Sequence, residues 1–459
     1  MVSDEIIKLR EEKEKKRLYK IKGKHRYSFY LVVLFVIIVL VDVLDNITTN
    51  TNGNITSCFI NEFFVRGMGL TYEEGYSTHN MFFIITYAFG LITPFYKALG
   101  DKWGRKPLFV ISTLGMASGL LIVFFCTNYV SFLIGNCVTT FFLGHDIQIL
   151  YVLEEAPSKH RAKMYSIIKG LGGLGSLFIP LLRETVMHNN ELEWRNVFII
   201  PGLAGIVLVL FVIVFVKESK VYVDKKIEYL ETPIEIRREN EKKEKEVKTG
   251  LIPAVKYVFK NKELRMLLII KCIFDVAILA VQSYESILAK FEYTTEEISK
   301  AEYFYPIFYC ASVLISGFLA DRIGRKKTIL AFGIICFFAF ISFVTLSYIH
   351  LNNPYIIGVM YGLYLGGYWI GRDYMEIMST EMVPTKIRAS IIGAFGLLVH
   401  MGMIVGLILN SVLPLFMPIW LSSLIIISPS VLISIILLIL KVKETKGVDY
   451  EQISFVEEE

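Results

Sequence analysis

Two short motifs each occur twice in this chain, in the same order, and this repetition restricts the possible fold more than any other feature. Asp-x-x-Gly-Arg-Lys begins at Asp101 and again at Asp321, 220 residues later. A longer motif, Gly-x-Asp followed by Glu-x-x-Pro-x-x-x-Arg-Ala, begins at Gly144 and again at Gly371, 227 residues later. Motifs that recur in order along a chain indicate one structural unit written twice. In an apolar chain, duplicated halves are typical of membrane transporters.

The apolar residues lie in twelve blocks, and hydrophobic residues make up 54% of the chain. A hydrocarbon core needs about 20 mostly apolar residues per helix. With twelve spans, Lys and Arg cluster in the loops on one side of the membrane, which the positive-inside rule makes cytoplasmic. The sequence therefore predicts an all-α, multi-pass membrane protein of twelve helices in two pseudo-symmetric six-helix bundles. We expect it in the cell membrane with both termini in the cytoplasm.

The charge pattern divides the chain into five predicted segments. The Asn- and Thr-rich stretch at 47–78 is expected to be an outside loop, and it contains a formal glycosylation sequon at Asn54. Residues 217–263 carry charges of both signs, and this favours a solvated, partly helical connector between the two bundles over a nucleic-acid binding site. The segments are a basic cytoplasmic arm at 1–26, a first bundle at 27–216, a cytoplasmic linker at 217–263, a second bundle at 264–440 and a cytoplasmic tail at 441–459.

These motifs resemble those of a known family. Asp-x-x-Gly-Arg-Lys, placed after the second span of each half, resembles the signature loop of the major facilitator superfamily. The segments from Glu154 to Arg161 and from Glu381 to Arg388 resemble loops of its sugar-porter and organic-ion branches. Residues 443–447, Lys-Glu-Thr-Lys-Gly, resemble the sugar-porter ending Pro-Glu-Thr-Lys-Gly. The resemblance covers nearly the whole chain and implies the major facilitator fold and transport by alternating access.

Ionisable side chains inside the spans are the candidate substrate and proton pathway. Such residues are costly in a membrane and mark transport routes. The acidic ones fall on spans 1, 4, 7 and 10, which the resemblance implies line a central cavity. Asp146 and Asp373 hold equivalent positions, about 12 Å before the cytoplasmic end of their helices; the alternative is that they pin helices together in ion pairs. The predicted pathway residues are Asp42, Asp45, His145, Asp146, Lys169, Gln282, Glu285, Arg372, Asp373 and Glu376.

Several of these residues have competing interpretations. Asp42 and Asp45 share a helix face, and two neighbouring carboxylates do not both ionise easily, which suits proton coupling. Alternatively, Asp45 is hydrated at the outer interface. Lys169 either meets a substrate anion or pairs with an aspartate. Lys271 and Asp275 are expected to pair with each other, and His400 is expected to be a hydrogen-bonded packing residue.

The repeated loops are predicted to act as cytoplasmic gates. The resemblance implies that Arg105 and Arg325 pair with Glu154 and Glu381, and that these networks hold the cytoplasmic ends together while the cavity opens outward. The aspartates are expected near the positive N-terminus of a neighbouring helix. Alternatively, the charges only fix topology. The gating residues are Asp101, Gly104, Arg105, Glu154, Arg161, Asp321, Gly324, Arg325, Glu381 and Arg388.

The predicted function is proton-coupled secondary transport, as a symporter, of a small polar and ionisable metabolite. We expect a functional monomer in the lipid bilayer, with no cofactor, metal, disulfide or nucleic-acid partner. A neutral sugar is the alternative substrate: the ending at 443–447 favours it, whereas the sugar porters' Gln-Gln-x-x-Gly is absent from 281–285, where only Gln282 matches. A non-transporting membrane sensor is a further alternative, although the linker is too short for a signalling domain.

The sequence offers no nucleophile–base set or metal motif, so we do not expect an enzyme. Gly170-x-Gly172-x-x-Gly175 matches the dinucleotide fingerprint formally. It lies inside an apolar helix with no preceding strand, so the required context is missing. Small residues at this spacing instead predict close packing between membrane helices.

Overall fold

The computed structural model describes residues 2–22, 28–97, 103–143, 151, 154–155, 161–188, 190–233, 236–237, 251–383 and 388–445. Within these ranges the ordered segments are helical and contain no β-strand. Short 3-10 or π-helical turns occur at 61–66, 174–177, 191–198, 276–279 and 413–415. The α-helices are α1 (Val2–Lys22), α2 (Ser28–Asn54), α3 (Thr56–Ile60), α4 (Tyr72–Lys97), α5 (Arg105–Phe124), α6 (Tyr129–Phe142), α7 (Arg161–Gly173), α8 (Phe178–Thr185), α9 (Ile199–Phe215), α10 (Lys220–Glu231), α11 (Leu251–Lys260), α12 (Lys262–Asp275), α13 (Ala280–Lys290), α14 (Thr295–Ile323), α15 (Arg325–Tyr348), α16 (Pro354–Glu381), α17 (Arg388–Val412) and α18 (Ile419–Lys441).

The helices follow the predicted membrane spans. Seven helical segments within the described ranges are long and apolar enough to cross a bilayer by themselves. The other predicted spans coincide with helices that are shorter, carry charges or contain 3-10 turns, as α7–α8 and α12–α13 do. Below, "N-terminal half" means residues 27–216 and "C-terminal half" means residues 264–440.

The expected outside loop at 47–78 is wrong, because most of this stretch is helical. The first span continues to Asn54, since its asparagines bond to their own helix. Asn46, Asn50 and Asn54 each donate from Nδ2 to the carbonyl oxygen four residues earlier, at 2.8, 2.9 and 2.9 Å. The Asn54 side chain is thereby satisfied inside the protein and only 4% exposed.

The segment after α2 is held by aromatic packing. Phe59 and Phe64 are 0% exposed. The Phe59 ring lies 6.0 Å from that of Trp194, between centroids, at an edge-on angle. Glu62 binds the Arg195 guanidinium through both carboxylate oxygens, at 2.6 and 2.8 Å. These contacts fix the segment against the start of α9, so the polar composition of the region does not indicate a loop.

The N-terminal arm is also structured. Helix α1 packs on α10 of the linker, where Leu18 meets Val223 and Ile227 in a small buried cluster. Arg237 binds Glu11 through both guanidinium nitrogens, at 2.8 and 3.0 Å. The hydrogen bond from Arg237 holds the pKa of Glu11 below its ordinary value. The arm and the linker thus form one helical layer beside the membrane helices.

Candidate transport site

The first charged pair joins α2 to α7. Lys169 Nζ donates to Asp42 Oδ1 at 2.9 Å, and the Asp42 side chain is 1% exposed. Gly172 makes room for this carboxylate, because a Cβ at that position would lie 1.8 Å from Asp42 Oδ2. Of the two roles open to Lys169, the structure shows the pairing with an aspartate. The glycine motif at 170–175 packs closely against neighbouring helices, as predicted.

Asp45 lies one turn beyond Asp42 on the same helix and is 0% exposed. The interpretation of Asp45 as a hydrated residue at the outer interface is therefore wrong. The cause is the extension of α2 well past Asn46, which places Asp45 inside the helix bundle rather than at its edge.

A second charged cluster joins α12 to α16 in the C-terminal half. Asp275 is 0% exposed and accepts a hydrogen bond from the Tyr368 hydroxyl at 3.0 Å. Arg372 Nε lies 3.6 Å and Lys271 Nζ 3.9 Å from its carboxylate. Lys271 also lies 3.6 Å from Glu376. Lys271 and Asp275 approach each other as expected, and two cations enclose the buried Asp275.

The side chains of Arg372 and Asp373, which are adjacent on α16, have different surroundings. Arg372 lies over the Trp369 ring, 5.0 Å from its centroid. The Asp373 side chain is exposed although it lies deep among protein atoms, within electrostatic range of Lys271 and of Lys169 in the other half. In the part of the chain that the structure describes, no side chain forms an ion pair or hydrogen bond with it. Asp373 therefore has an exposed carboxylate within electrostatic range of one lysine from each half.

Among the remaining pathway residues, Glu285 is the one whose side chain the structure describes. His145 and Asp146 lie outside the described residues, and for Gln282 only the helical backbone of α13 is described. Glu285 is 1% exposed and binds across to the N-terminal half: it accepts from Ser57 N at 2.7 Å and also from the Ser57 hydroxyl. His400 Nδ1 lies 2.6 Å from the carbonyl oxygen four residues earlier, as a packing residue would.

The two repeated loops have the same geometry. Gly104 and Gly324 adopt φ of 104° and 103°, a conformation that favours glycine. Arg105 Nε lies 3.3 Å from Glu154 Oε1, and Arg325 Nε lies 3.0 Å from Glu381 Oε1. Asp101 falls outside the described residues. The backbones of Arg161, Asp321 and Arg388 are helical, and their side chains are not described.

Two further carboxylates complete these loops, and the sequence interpretation missed them. Glu218 Oε1 accepts from the backbone N–H groups of Arg105 and Lys106, at 2.7 and 3.1 Å. Glu444 Oε1 accepts from those of Arg325 and Lys326, at 2.8 and 3.3 Å. Each carboxylate thus binds the positive N-terminus of a helix, α5 or α15.

A signal for these carboxylates was present in the sequence. Residues 216–219 read Val-Lys-Glu-Ser and residues 442–445 read Val-Lys-Glu-Thr, 226 residues apart. The hydroxyls that follow also match: Ser219 donates to Glu154, and Thr445 Oγ1 donates to Glu381 at 2.5 Å. The ending that resembles the sugar porters is therefore one of two equivalent helix-capping segments.

The structure also shows an ion pair between the halves that was not predicted. Arg183 of α8 and Glu302 of α14 meet at 2.8 Å, with side chains 1% and 0% exposed. Nearby, Asn54 Nδ2 donates to the Tyr305 hydroxyl at 3.2 Å. These residues and the Ser57–Glu285 contact lie at the end of the molecule opposite the repeated loops, which we call the closed end.

A family model for the Major Facilitator Superfamily matches residues 47–372 and 304–455. The chain belongs to the major facilitator superfamily. It is therefore a multi-pass membrane protein of a transporter superfamily, and not a member of an enzyme family.

Curated relatives within this superfamily are distant. The tetracycline resistance protein, class H, of Pasteurella multocida is 24% identical over 188 residues, an alignment that covers 40% of this chain and 44% of that protein. The glucose transporter GlcP of Staphylococcus epidermidis is 22% identical over 330 residues, covering 67% of this chain and 72% of that protein. The chain thus spans less than half the length of the first of these relatives.

Solved structures share the fold over almost the whole chain. A D-xylose-proton symporter superposes with a TM-score of 0.68 at 14% identity, covering 91% of this chain and 99% of that one. A point mutant of the nucleoside transporter NupG superposes with a TM-score of 0.64 at 14% identity, covering 89% and 100%. At such identities the likeness shows the major facilitator fold.

Proposed function

We propose that this major facilitator protein moves a small polar, ionisable metabolite by alternating access and couples that movement to protons. The observation that carries the proposal is Asp373, an accessible carboxylate well inside α16. An ionised side chain inside a membrane span requires a partner or a wet cavity. Lys271 and, from the opposite half, Lys169 both act electrostatically on Asp373. A bound ionisable substrate contacts both halves at this point.

The charges around this space exceed what a neutral ligand requires. Asp42–Lys169 and the cluster around Asp275 place both signs within reach of Asp373. Truncating one partner of a desolvated charge pair costs several kcal/mol, typically ~2–5. In this proposal a charged substrate replaces one partner of such a pair when it binds. Its binding is therefore linked to a rearrangement between the halves.

A neutral sugar is the second candidate. The names of similar proteins favour it, since they include a glucose transporter and a D-xylose-proton symporter. The second name also accords with proton coupling. Other similar proteins are named for tetracycline and multidrug resistance, so the names do not converge on one substrate class.

The repeated loops are proposed as gates on the cytoplasmic side. In each half, a carboxylate that caps a helix, a hydroxyl beside it and the Arg–Glu pair form one connected network. In this proposal the networks hold the cytoplasmic ends together while the cavity opens outward, and they break when the cavity opens inward. We further propose a functional monomer in the cell membrane with both termini in the cytoplasm.

A thermal-shift screen tests the substrate class. Purified protein is heated with amino acids, organic acids, amines, nucleosides, vitamins and sugars, because a ligand that binds the folded state raises the melting temperature. We expect a charged metabolite to stabilise the wild type and Glu228→Gln, a control on the exposed face of α10, but not Asp373→Asn. A neutral sugar that stabilises all three equally would favour the second candidate and leave Asp373 without a substrate role.

A further inference from the structure

The closed end contains a charge imbalance. Arg183 is 1% exposed and interacts electrostatically with two carboxyl groups from the other half. Its Nη1 contacts Glu302 Oε1 at 2.8 Å, and Glu285 acts on it electrostatically. Glu285 and Glu302 are 1% and 0% exposed. One buried cation therefore faces two buried carboxyl groups, and an uncompensated charge is expensive to bury.

The neighbouring ionisable groups do not correct this imbalance. Tyrosine and cysteine are neutral at ordinary pH, and Glu191 adds negative charge. Among the residues that the structure describes, Arg183 is the only cation that forms an ion pair with either carboxyl group, and it is the strongest charged influence on both. The other ionisable groups that interact electrostatically with Glu285 or Glu302 are Cys58, Tyr72, Glu191, Tyr284, Tyr303, Tyr305 and Tyr361.

The hydrogen bonds of the two carboxyl groups indicate which of them binds a proton when both are buried. Both oxygens of Glu285 accept hydrogen bonds, one from Ser57 N at 2.7 Å and one from the Ser57 hydroxyl. Glu302 uses Oε1 for Arg183, and its Oε2 is buried without a hydrogen-bond partner among the described residues. An ionised carboxylate is an acceptor at both oxygens, and Glu285 fits that state better.

We propose that Glu302 is a proton-binding site and that a proton on its Oε2 permits the closed end to form. This inference rests on the proposed function, since the bound proton would be the one coupled to transport. When the end opens, Arg183 and both carboxyl groups become hydrated and Glu302 releases the proton to water. When it closes, Glu302 takes a proton from water, and the buried group becomes neutral overall. The halves then close at this end only when Glu302 is protonated.

The position of Glu302 supports a role in conformational coupling. It lies near the start of α14, and its partner Arg183 lies on α8 in the other half, where Arg183 also donates to the Asn54 carbonyl oxygen at 2.5 Å. Any separation of the halves at this end breaks the pair. The charge state of Glu302 is therefore linked to the opening of the transporter and not to the stability of one bundle.

The test is a distance measurement across the closed end of the full chain. Spin labels at Leu192→Cys and Ile349→Cys, 59% and 60% exposed, report the separation of the halves. The native cysteines are buried or half-buried, so labelling favours the new sites. In the wild-type background we expect the closed population to fall as pH rises, by up to tenfold per pH unit for one proton. A closed population that ignores pH would overturn the proposal.

Two variants identify the group responsible. Glu302→Gln leaves one cation and one carboxylate, so closure should lose its pH dependence. Glu296→Gln, on the same helix but 67% exposed and paired with Lys300, should behave like the wild type. If Glu302→Gln does not fold, Glu285→Gln restores the same charge balance and should also close independently of pH. A pH dependence that survives in the variant would refute the assignment.

Uptake into proteoliposomes distinguishes a failure of the Glu302 assignment from a failure of the proposed proton coupling. If a pH gradient drives uptake in the wild type and equally in Glu302→Gln, the transporter is proton-coupled and Glu302 is not the site. If a gradient has no effect on wild-type uptake, the proposed coupling itself fails, and the spin-label result still decides whether Glu302 binds a proton on closure.

Discussion

Adding one methyl group to the second repeated loop should destabilise the protein strongly. Gly324 has φ 103° and ψ 165°, a region that other residues occupy only at a cost of about 1–3 kcal/mol. A Cβ there would lie 2.4 Å from Glu444 Oε2, so the carboxylate must move. Moving it weakens its hydrogen bonds to the N–H groups of Arg325 and Lys326, and a bond to a charged group contributes about 1.5–3 kcal/mol. Together, Gly324→Ala should lower the free energy of unfolding by about 3–5 kcal/mol.

A matched control is available in the preceding helix. A Cβ added at Gly317 in α14 would have no neighbouring atom within 4 Å, so Gly317→Ala should be neutral or stabilising by about 0.5–1 kcal/mol. Chemical and thermal unfolding of detergent-purified protein, followed by tryptophan fluorescence, compares the two variants. Gly104→Ala should match Gly324→Ala, because its Cβ would lie 2.3 Å from Glu218 Oε2.

A double variant tests the assigned cause. If displacement of Glu444 contributes to the loss, Gly324→Ala combined with Glu444→Ala should lose less than the sum of the single variants, because the two residues share one contact. The reasoning is refuted if Gly324→Ala is no less stable than Gly317→Ala, or if the two losses simply add.

Three other expectations follow from single contacts. Asp42→Asn removes the negative charge that Lys169 binds at this position. Because Lys169 is 23% exposed, the loss of stability should fall below the ~3–5 kcal/mol of a fully buried pair. Lys169→Met in the same chain should restore part of that stability in thermal unfolding. Arg237 lowers the pKa of Glu11 in the folded protein, so this pair stabilises the docking of α1 at pH values above the pKa of Glu11 in the unfolded chain, ~4.3. That stabilisation is lost as the pH falls through the lower pKa of the folded state. Limited proteolysis of α1 should therefore increase in acid for the wild type, and Glu11→Gln should abolish that change. Asn54 should carry no glycan when the folded chain is made in glycosylating cells, and an intact mass that includes one would contradict its buried position.

The parts of the fold that depend on local sequence could be predicted. An apolar block of span length becomes a helix wherever it occurs, because a membrane leaves its backbone no other partner. The pairing of Arg105 with Glu154 could be predicted because the two motifs that contain these residues resemble the loops of a known family. The stretch at 47–78 was misassigned because Asn and Thr are typical of loops, whereas here the side chains of residues such as Asn50 bond back to their own helix.

The parts that depend on packing between distant segments could not be predicted. Arg183 and Glu302 are 119 residues apart and lie near the ends of their spans, where a charge alone suggests hydration. Their pairing follows from the meeting of α8 and α14. Glu218 and Glu444 were within reach of the sequence, but a match of three residues per copy was too short to recognise before the contacts were known.

Uptake driven by a proton gradient tests the central claim most directly. Proteoliposomes containing the purified protein are supplied with the metabolite that the thermal-shift screen selects, with the outside either more acidic than the lumen or at the same pH. A proton-coupled transporter with Asp373 in its substrate site should accumulate the metabolite above its external concentration only under the gradient, and Asp373→Asn should lose this accumulation. Uptake that reaches the same level with and without the gradient, or that survives in Asp373→Asn, would contradict the account.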